Sequence, residues 1–262
     1  MSASAKAIAE RFVNARRSAN ALSEYPGSAP TTLEDAYRVQ DQAIMLNRQD
    51  ILGWKVGRIM PPLDEEYGAD RLAGPIFTVT RASASNAMPI FADGFAAGEA
   101  EFLLRIGSPP PAGKTEFTLD EAKSLIDAVH LGIEVASSPF PGINDHGPGV
   151  TISDFGNNYG LLIGDAVPEW RDTAFLQWDI TAYHNDTVVG GARASAMLDG
   201  PIGAARFLFQ LLARRGIAVE PGQWISSGAL TGVHPVAVGD RFAARFNGHD
   251  LLECNFVAAG GA

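Results

Sequence analysis

Glu99-Ala100-Glu101 constrains this chain more than any other stretch, because it leads straight into the largely apolar run Phe102-Leu103-Leu104-Arg105-Ile106. Such a run reads as a strand entering a core, and side chains two apart on a strand share one face. Two carboxylates therefore aim the same way beside a hydrophobic wall. Glu134 sits in a second apolar run, Leu131-Gly132-Ile133-Glu134-Val135-Ala136. If the three converge, each pair of charges at ~4 Å repels by roughly 4 kcal/mol at an effective dielectric near 20. A hard divalent cation removes that penalty. Three carboxylates with no neighbouring His or Cys suit Mg²⁺, Mn²⁺ or Ca²⁺ better than zinc. The alternative is that Glu99 and Glu101 lie on a solvated strand face and Glu134 pairs with an arginine.

A chain of 262 residues makes one large domain or two small ones with ample core. A net charge of −10 disfavours nucleic acid and anionic membranes as partners. The single cysteine, Cys254, excludes an internal disulfide framework and fits a reducing cytoplasm; it reads as a small strand residue. Met1 to Phe12 has no continuous apolar segment of the signal-peptide kind, and no apolar run is long enough to cross a membrane.

Two helices are predicted first, Ala5 to Leu22 and, capped by Thr32, Leu33 to Asn47. Residues 1–50 thus form a helical section ahead of a β-rich catalytic section, 51–262, the two making one structural unit. Residues 51–60 read as a strand, and 61–98 as loops with short strands. Thr118 and Glu121 make a capping box for a helix to about Val129. A long loop is expected from Ser137 to Val150. Paired strands follow, Phe175 to Asn185 and Thr187 to Gly190. Pro201 enters a helix to Arg215 that Gly216 ends, and strands Phe242 to Phe246 and His249 to Val257 flank Asn247-Gly248. The strands outnumber a βαβ series, and no G-x-G-x-x-G, Walker A or G-x-S-x-G element stands at a strand–helix junction. The expected class is α/β in the α+β sense: a mixed, partly rolled sheet with peripheral helices.

Lys55 lies in an apolar strand between Trp54 and Val56. A buried ammonium needs a partner or must lose its proton. It either faces the acidic site or snorkels at a strand end. Asp154 and Asn158 stand in Ser153-Asp154-Phe155-Gly156-Asn157-Asn158-Tyr159-Gly160, where they orient a substrate or serve turn chemistry. Ser226-Ser227-Gly228-Ala229-Leu230-Thr231-Gly232 allows backbone N–H groups and hydroxyls to approach an anion, or is a plain tight turn. None of the five histidines shows metal-ligand spacing; His146, in the long loop, is a candidate acid or base.

Taken together, Gly53-Trp54-Lys55-Val56-Gly57, Glu99-Ala100-Glu101, Gly132-Ile133-Glu134, Asp154 to Gly160 and Ser227 to Gly232 resemble the hydratase/decarboxylase branch of the fumarylacetoacetate hydrolase superfamily. The set is specific, and it spans most of the chain in the family's order. The resemblance implies a rolled β core, homo-oligomers, and Mg²⁺ (or Mn²⁺) on Glu99, Glu101 and Glu134. It implies a 2-hydroxydienoate or 2-oxo acid substrate met by Lys55, Gly57, Arg58, Asn158, Ser227, Leu230 and Thr231. Proton transfer is expected of Asp154 or Asp70. The implied reaction is addition of water, with decarboxylation as its nearest rival and a non-catalytic 2-oxo acid binder as a third reading. Carbon–carbon hydrolysis, the chemistry of the other branch, commonly uses an early His, and none precedes His130. The chain departs from the family where Arg58-Ile59 replaces the usual Thr or Ser after the Trp-Lys motif. Asp70 stands in place of an acidic Pro-Asp-x-Gly segment, and Phe155 replaces an Asn.

Overall fold

The computed structural model describes residues 4–248 and 250–261, so the first residues of Met1–Phe12 and the expected strand start at His249 lie outside the described residues. In chain order the elements are α1 (Ala5–Ser18), α2 (Leu33–Asn47), β1 (Gly53–Arg58), α3 (Leu63–Tyr67), β2 (Arg71–Ile76), β3 (Val79–Arg81), β4 (Ala87–Ile90) and β5 (Phe95–Ile106). Then come α4 (Leu119–Ser124), β6 (Ile126–Ser138), α5 (Pro148–Ser153), β7 (Asn158–Ala166), β8 (Asp179–His184), β9 (Thr187–Arg193) and α6 (Gly200–Arg215). The last are β10 (Trp224–Ser226), β11 (His234–Pro235), β12 (Arg241–Phe246) and β13 (Asp250–Ala258).

The strands form two mixed sheets. One has eight strands in the order β2-β1-β10-β5-β6-β7-β3, with β11 also on β5; the other runs β4-β13-β12-β8-β9. Phe102 of β5 joins them, its ring 5.6 Å from that of Phe246 on β12 and 4.8 Å from that of Phe175. Alternation along β5 sends Ala100, Phe102 and Leu104 into this core and leaves Glu99 and Glu101 on the opposite face. Ile8, Phe12 and Val13 of α1 and Val39 of α2 pack on Phe140, Ile143, Val150 and Phe155, so the helical section covers the chain on either side of α5.

Four local expectations are corrected. Helix α1 ends at Ser18 rather than Leu22, because Ala19 turns left-handed (φ 53°) and Leu22 N–H bonds the Pro139 carbonyl. Helix α4 stops at Ser124, since Ile126 onward pairs residue by residue with β5 and buries Ile126, Val129 and Leu131. The expected loop from Ser137 to Val150 shrinks, with Ser137 and Ser138 completing β6 and Pro148 opening α5. Residues 174–177 form a 3-10 turn, so the strand expected from Phe175 starts at Asp179.

Gly74 positions part of the site. It sits opposite Lys55 in the β1–β2 pair, and a Cβ there would lie 2.1 Å from the Phe155 carbonyl oxygen. That contact is with backbone, which cannot swing away. Gly74→Ala is therefore expected to cost ~1–3 kcal/mol of stability and to push the 155–157 turn off β2. Urea unfolding measures the loss; an unchanged midpoint would refute it.

Candidate metal centre

Adjacent strands of the larger sheet bring the chemistry together. β1 supplies Lys55, β10 supplies Ser226 as its register partner, β5 supplies Glu99 and Glu101, and β6 supplies Glu134. Glu99 and Glu134 are direct cross-strand partners, an arrangement of like charges that destabilises a sheet on its own. One oxygen of each of the three carboxylates lies within 4.8 Å of the others. Their exposures are 4%, 0% and 0%, which rules out the solvated strand face. Glu134 pairs with Lys55 Nζ at 3.1 Å, not with an arginine. Lys55 is buried too, so it does not snorkel.

The electrostatics leave a deficit of positive charge. Three carboxylates against one ammonium leave two negative charges, the complement of a divalent cation. Burial pushes the Glu99 carboxyl up to about 7, Lys55 pulling it back and Glu134 raising it further. Burial and then the charges of Glu134 and Glu99 drive Glu101 well above the usual carboxylate range. Burial works against the Lys55 ammonium, but attraction by Glu134, Glu99 and Glu101 outweighs it and holds the group above its ordinary value.

The hydrogen bonds orient the trio and leave donor atoms free. Glu101 Oε2 accepts from the Ser226 hydroxyl and, at 2.9 Å, from Gly228 N–H. Glu101 Oε1 is buried with no hydrogen-bond partner, a costly position unless a cation meets it. Glu134 Oε1 accepts from Asn158 Nδ2 at 2.9 Å. An all-oxygen donor set with an orphaned carboxylate oxygen fits Mg²⁺ or Mn²⁺.

A cavity of about 640 Å³ reaches this cluster at Glu99, Lys55 and Ser227. That volume suits a small organic ligand. The Ser227 hydroxyl on its wall is buried and unpartnered. Gly57, Arg58 and Leu230 also line it. Other expected site residues lie elsewhere. Asn158 is spent on Glu134 and the Thr231 hydroxyl meets His234 Nε2 at 3.1 Å; neither lines the cavity. Asp154, expected to carry protons, is buried off the wall and gripped by Arg16, whose Nη2 reaches Oδ2 at 2.9 Å. Asp70 is half exposed, 3.8 Å from Arg71 Nη1, and off the wall as well. His146 is exposed and stacks on Phe140.

Sequence reasoning missed Asn157, whose Oδ1 accepts from Lys55 Nζ at 3.3 Å. The Asp-Phe-Gly-Asn-Asn run held a signal for it, since Asn tolerates the left-handed backbone it adopts (φ 57°). Arg16 was missed with no local signal, because its partner is 138 residues away. Phe155 also has a positive φ (55°). Its ring is held edge-on by Phe77 at 5.0 Å and has the Arg16 guanidinium 5.1 Å from its centre.

No family model matches the chain. It is 26% identical over 270 residues to 2-oxo-hept-4-ene-1,7-dioate hydratase of Escherichia coli, covering 95% of this chain and 97% of that protein. It is 21% identical over 235 residues to 2-keto-4-pentenoate hydratase of Burkholderia vietnamiensis, covering 88% of each. The solved 4-oxalocrotonate decarboxylase of Pseudomonas putida G7, complexed with magnesium and adipate, superposes with a TM-score of 0.79 at 21% identity over 97% of each chain. The chain is similar in sequence to these hydratases and has the fold of the solved members of the fumarylacetoacetate hydrolase superfamily.

Proposed function

We propose that this protein is a divalent-metal-dependent lyase that adds water to a 2-hydroxydienoate or 2-oxo-alkenoate, with Mg²⁺ or Mn²⁺ held by Glu99, Glu101 and Glu134. The observation that carries the reading is the buried carboxylate trio opening, through Glu99, onto a ligand-sized cavity. A solved relative of the same fold is complexed with magnesium and a dicarboxylate, which supports it. The metal, when bound, supplies Lewis acidity toward the carboxylate and 2-oxygen of the substrate. Lys55 Nζ holds a fixed positive charge beside the place where enolate charge develops, and Glu134 and Asn157 fix its direction. Ser227 Oγ, unpartnered on the wall, holds the substrate carboxylate. The lone buried Cys254 supports a cytoplasmic setting, and homo-oligomers are the family expectation.

Decarboxylation is the second reading. Among the described residues no aspartate or histidine lines the cavity, and its titratable wall groups other than arginine are Lys55 and Glu99. Loss of CO₂ needs an electron sink and one reprotonation, whereas hydration also needs a base for water. Product analysis on 2-hydroxypenta-2,4-dienoate and on 4-oxalocrotonate separates the two.

Thermal unfolding of metal-stripped protein with Mg²⁺, oxalate and both tests the shared core of these readings. Oxalate mimics the planar enolate of a 2-oxo acid. A ligand at 100 times its dissociation constant adds ~2.7 kcal/mol, and the two together are expected to stabilise more than the sum of each alone. No response to either would sink the proposal.

A further inference from the structure

Two amides stand on the cavity wall beside the lysine. Asn157 and Asn144 both line it, next to Gly147 and Pro148 where α5 begins. Asn157 Oδ1 accepts from Lys55 Nζ at 3.3 Å, and its Nδ2 donates to Asn144 Oδ1 at 3.1 Å. An ammonium only donates, so Lys55 fixes which end of the Asn157 amide faces it. That choice fixes in turn which end of Asn144 faces Asn157. Every acceptor in the run is therefore turned inward, and the group left over at its outer end is a donor, Asn144 Nδ2. Among the described residues that nitrogen donates to nothing. Asn144 is exposed, yet its place is held. Ile143 before it is fully buried with Phe140 and Val150 against the helical section, and the Ile143 carbonyl accepts from Thr151 Oγ1 at 3.1 Å. After it, Asp145 N–H bonds the Gly142 carbonyl at 3.0 Å. A donor anchored on both sides loses little freedom when it meets a ligand.

We propose that Asn144 is a further substrate-binding residue, its Nδ2 donating to an oxygen of the bound 2-oxo acid that the metal does not take. This rests on the 2-oxo acid reading of the metal centre and adds a contact to it. Asn157, with both ends of its amide spent, is a positioning residue between Lys55 and Asn144. The run Glu134–Lys55–Asn157–Asn144 then joins the carboxylate trio to the substrate through hydrogen bonds alone. The Ser227 hydroxyl can donate or accept, whereas the end that Asn144 presents only donates. It therefore favours an anionic oxygen and offers nothing to a cationic or donor group.

Calorimetric titration with Mg²⁺, and then of the Mg²⁺-loaded protein with oxalate, tests the proposal in wild type, Asn144→Ala, Asn144→Asp and Asp145→Asn. Asn144→Ala is expected to weaken oxalate roughly tenfold or more, the loss of a hydrogen bond to a charged group. Asn144→Asp keeps the oxygen that Asn157 needs and removes the donor, so it should bind oxalate no better than Asn144→Ala. Asp145 is exposed and off the wall. Asp145→Asn changes the charge of the same loop by one unit and should stay within about twofold of wild type, since solvent screens a charge placed there. Wild-type Mg²⁺ affinity is expected in all three and shows that each is folded. Wild-type oxalate affinity in Asn144→Asp beside a weak Asn144→Ala would make Asn144 a support for Asn157 alone and overturn the contact. Wild-type affinity in both, or a change in Asp145→Asn as large as that in Asn144→Asp, would overturn it too. In each of those cases the metal centre stands. A wild type that binds Mg²⁺ but no oxalate would overturn the 2-oxo acid reading and this contact with it.

Discussion

Glu101→Ala is expected to lower turnover by on the order of 100-fold or more at saturating Mg²⁺, the loss that follows from removing a few kcal/mol of Lewis-acid stabilisation. Glu101 is the carboxylate to change because one of its oxygens is fixed by neighbours while the other is left for a cation. Its Oε2 is anchored by Ser226 and Gly228, and its Oε1 is buried without a partner. Stability should move the opposite way in metal-stripped protein. The folded Glu101 carboxyl sits well above its ordinary range, so its contribution is fully present below the unfolded value of about 4.5 and is lost as pH rises. Glu101→Gln carries no such charge. The stability of the stripped variant relative to stripped wild type should therefore grow with pH across the neutral range. Saturating Mg²⁺ should reverse the ranking. Near-normal turnover in Glu101→Ala, or wild-type Mg²⁺ stabilisation in Glu101→Gln, would sink the metal assignment.

Glu99 and Glu101 were legible as a pair because their logic is local, whereas Glu134 joined them only through the family resemblance. The i, i+2 spacing of Glu99 and Glu101 fixes a shared face, and apolar neighbours on both runs announce burial. Helices α2 and α6 were legible for the same reason: Thr32 caps one at Asp35 N–H, and Gly216 ends the other in a left-handed turn. Helix α4 was misjudged in length because its capping box is local, whereas its end is set by β6 pairing with β5. The mixed β core with peripheral helices was legible from the strand count, and its two sheets meet at Phe102. Asp154 was the hardest residue to read. An aspartate next to a candidate site reads as a proton carrier, and nothing nearby shows that an arginine in the first helix occupies it.

That arginine supports the second large prediction. Arg16→Ala is expected to destabilise the protein by ~3–5 kcal/mol, because it strands the Asp154 carboxylate in the interior. The guanidinium also donates to the Asn158 carbonyl at 3.0 Å and the Ser137 carbonyl at 3.1 Å, ending β6 and starting β7 where they leave the metal centre. Asn158 in turn donates to Glu134. Loosening this hub should weaken Mg²⁺ affinity ~10–100-fold, as loss of partners behind metal ligands commonly does. Arg16→Lys should rescue little, since an ammonium cannot grip a carboxylate and two carbonyls in one plane. Asp154→Asn separates the two roles open to this residue. If Asp154 is a structural tie, the variant loses stability while the shape of its pH–rate profile stays that of the wild type. If it carries protons, one limb of the profile disappears while stability is kept. Its place off the cavity wall, under Arg16, favours the first outcome, and a lost limb in a fully stable Asp154→Asn would restore it to the catalytic machinery.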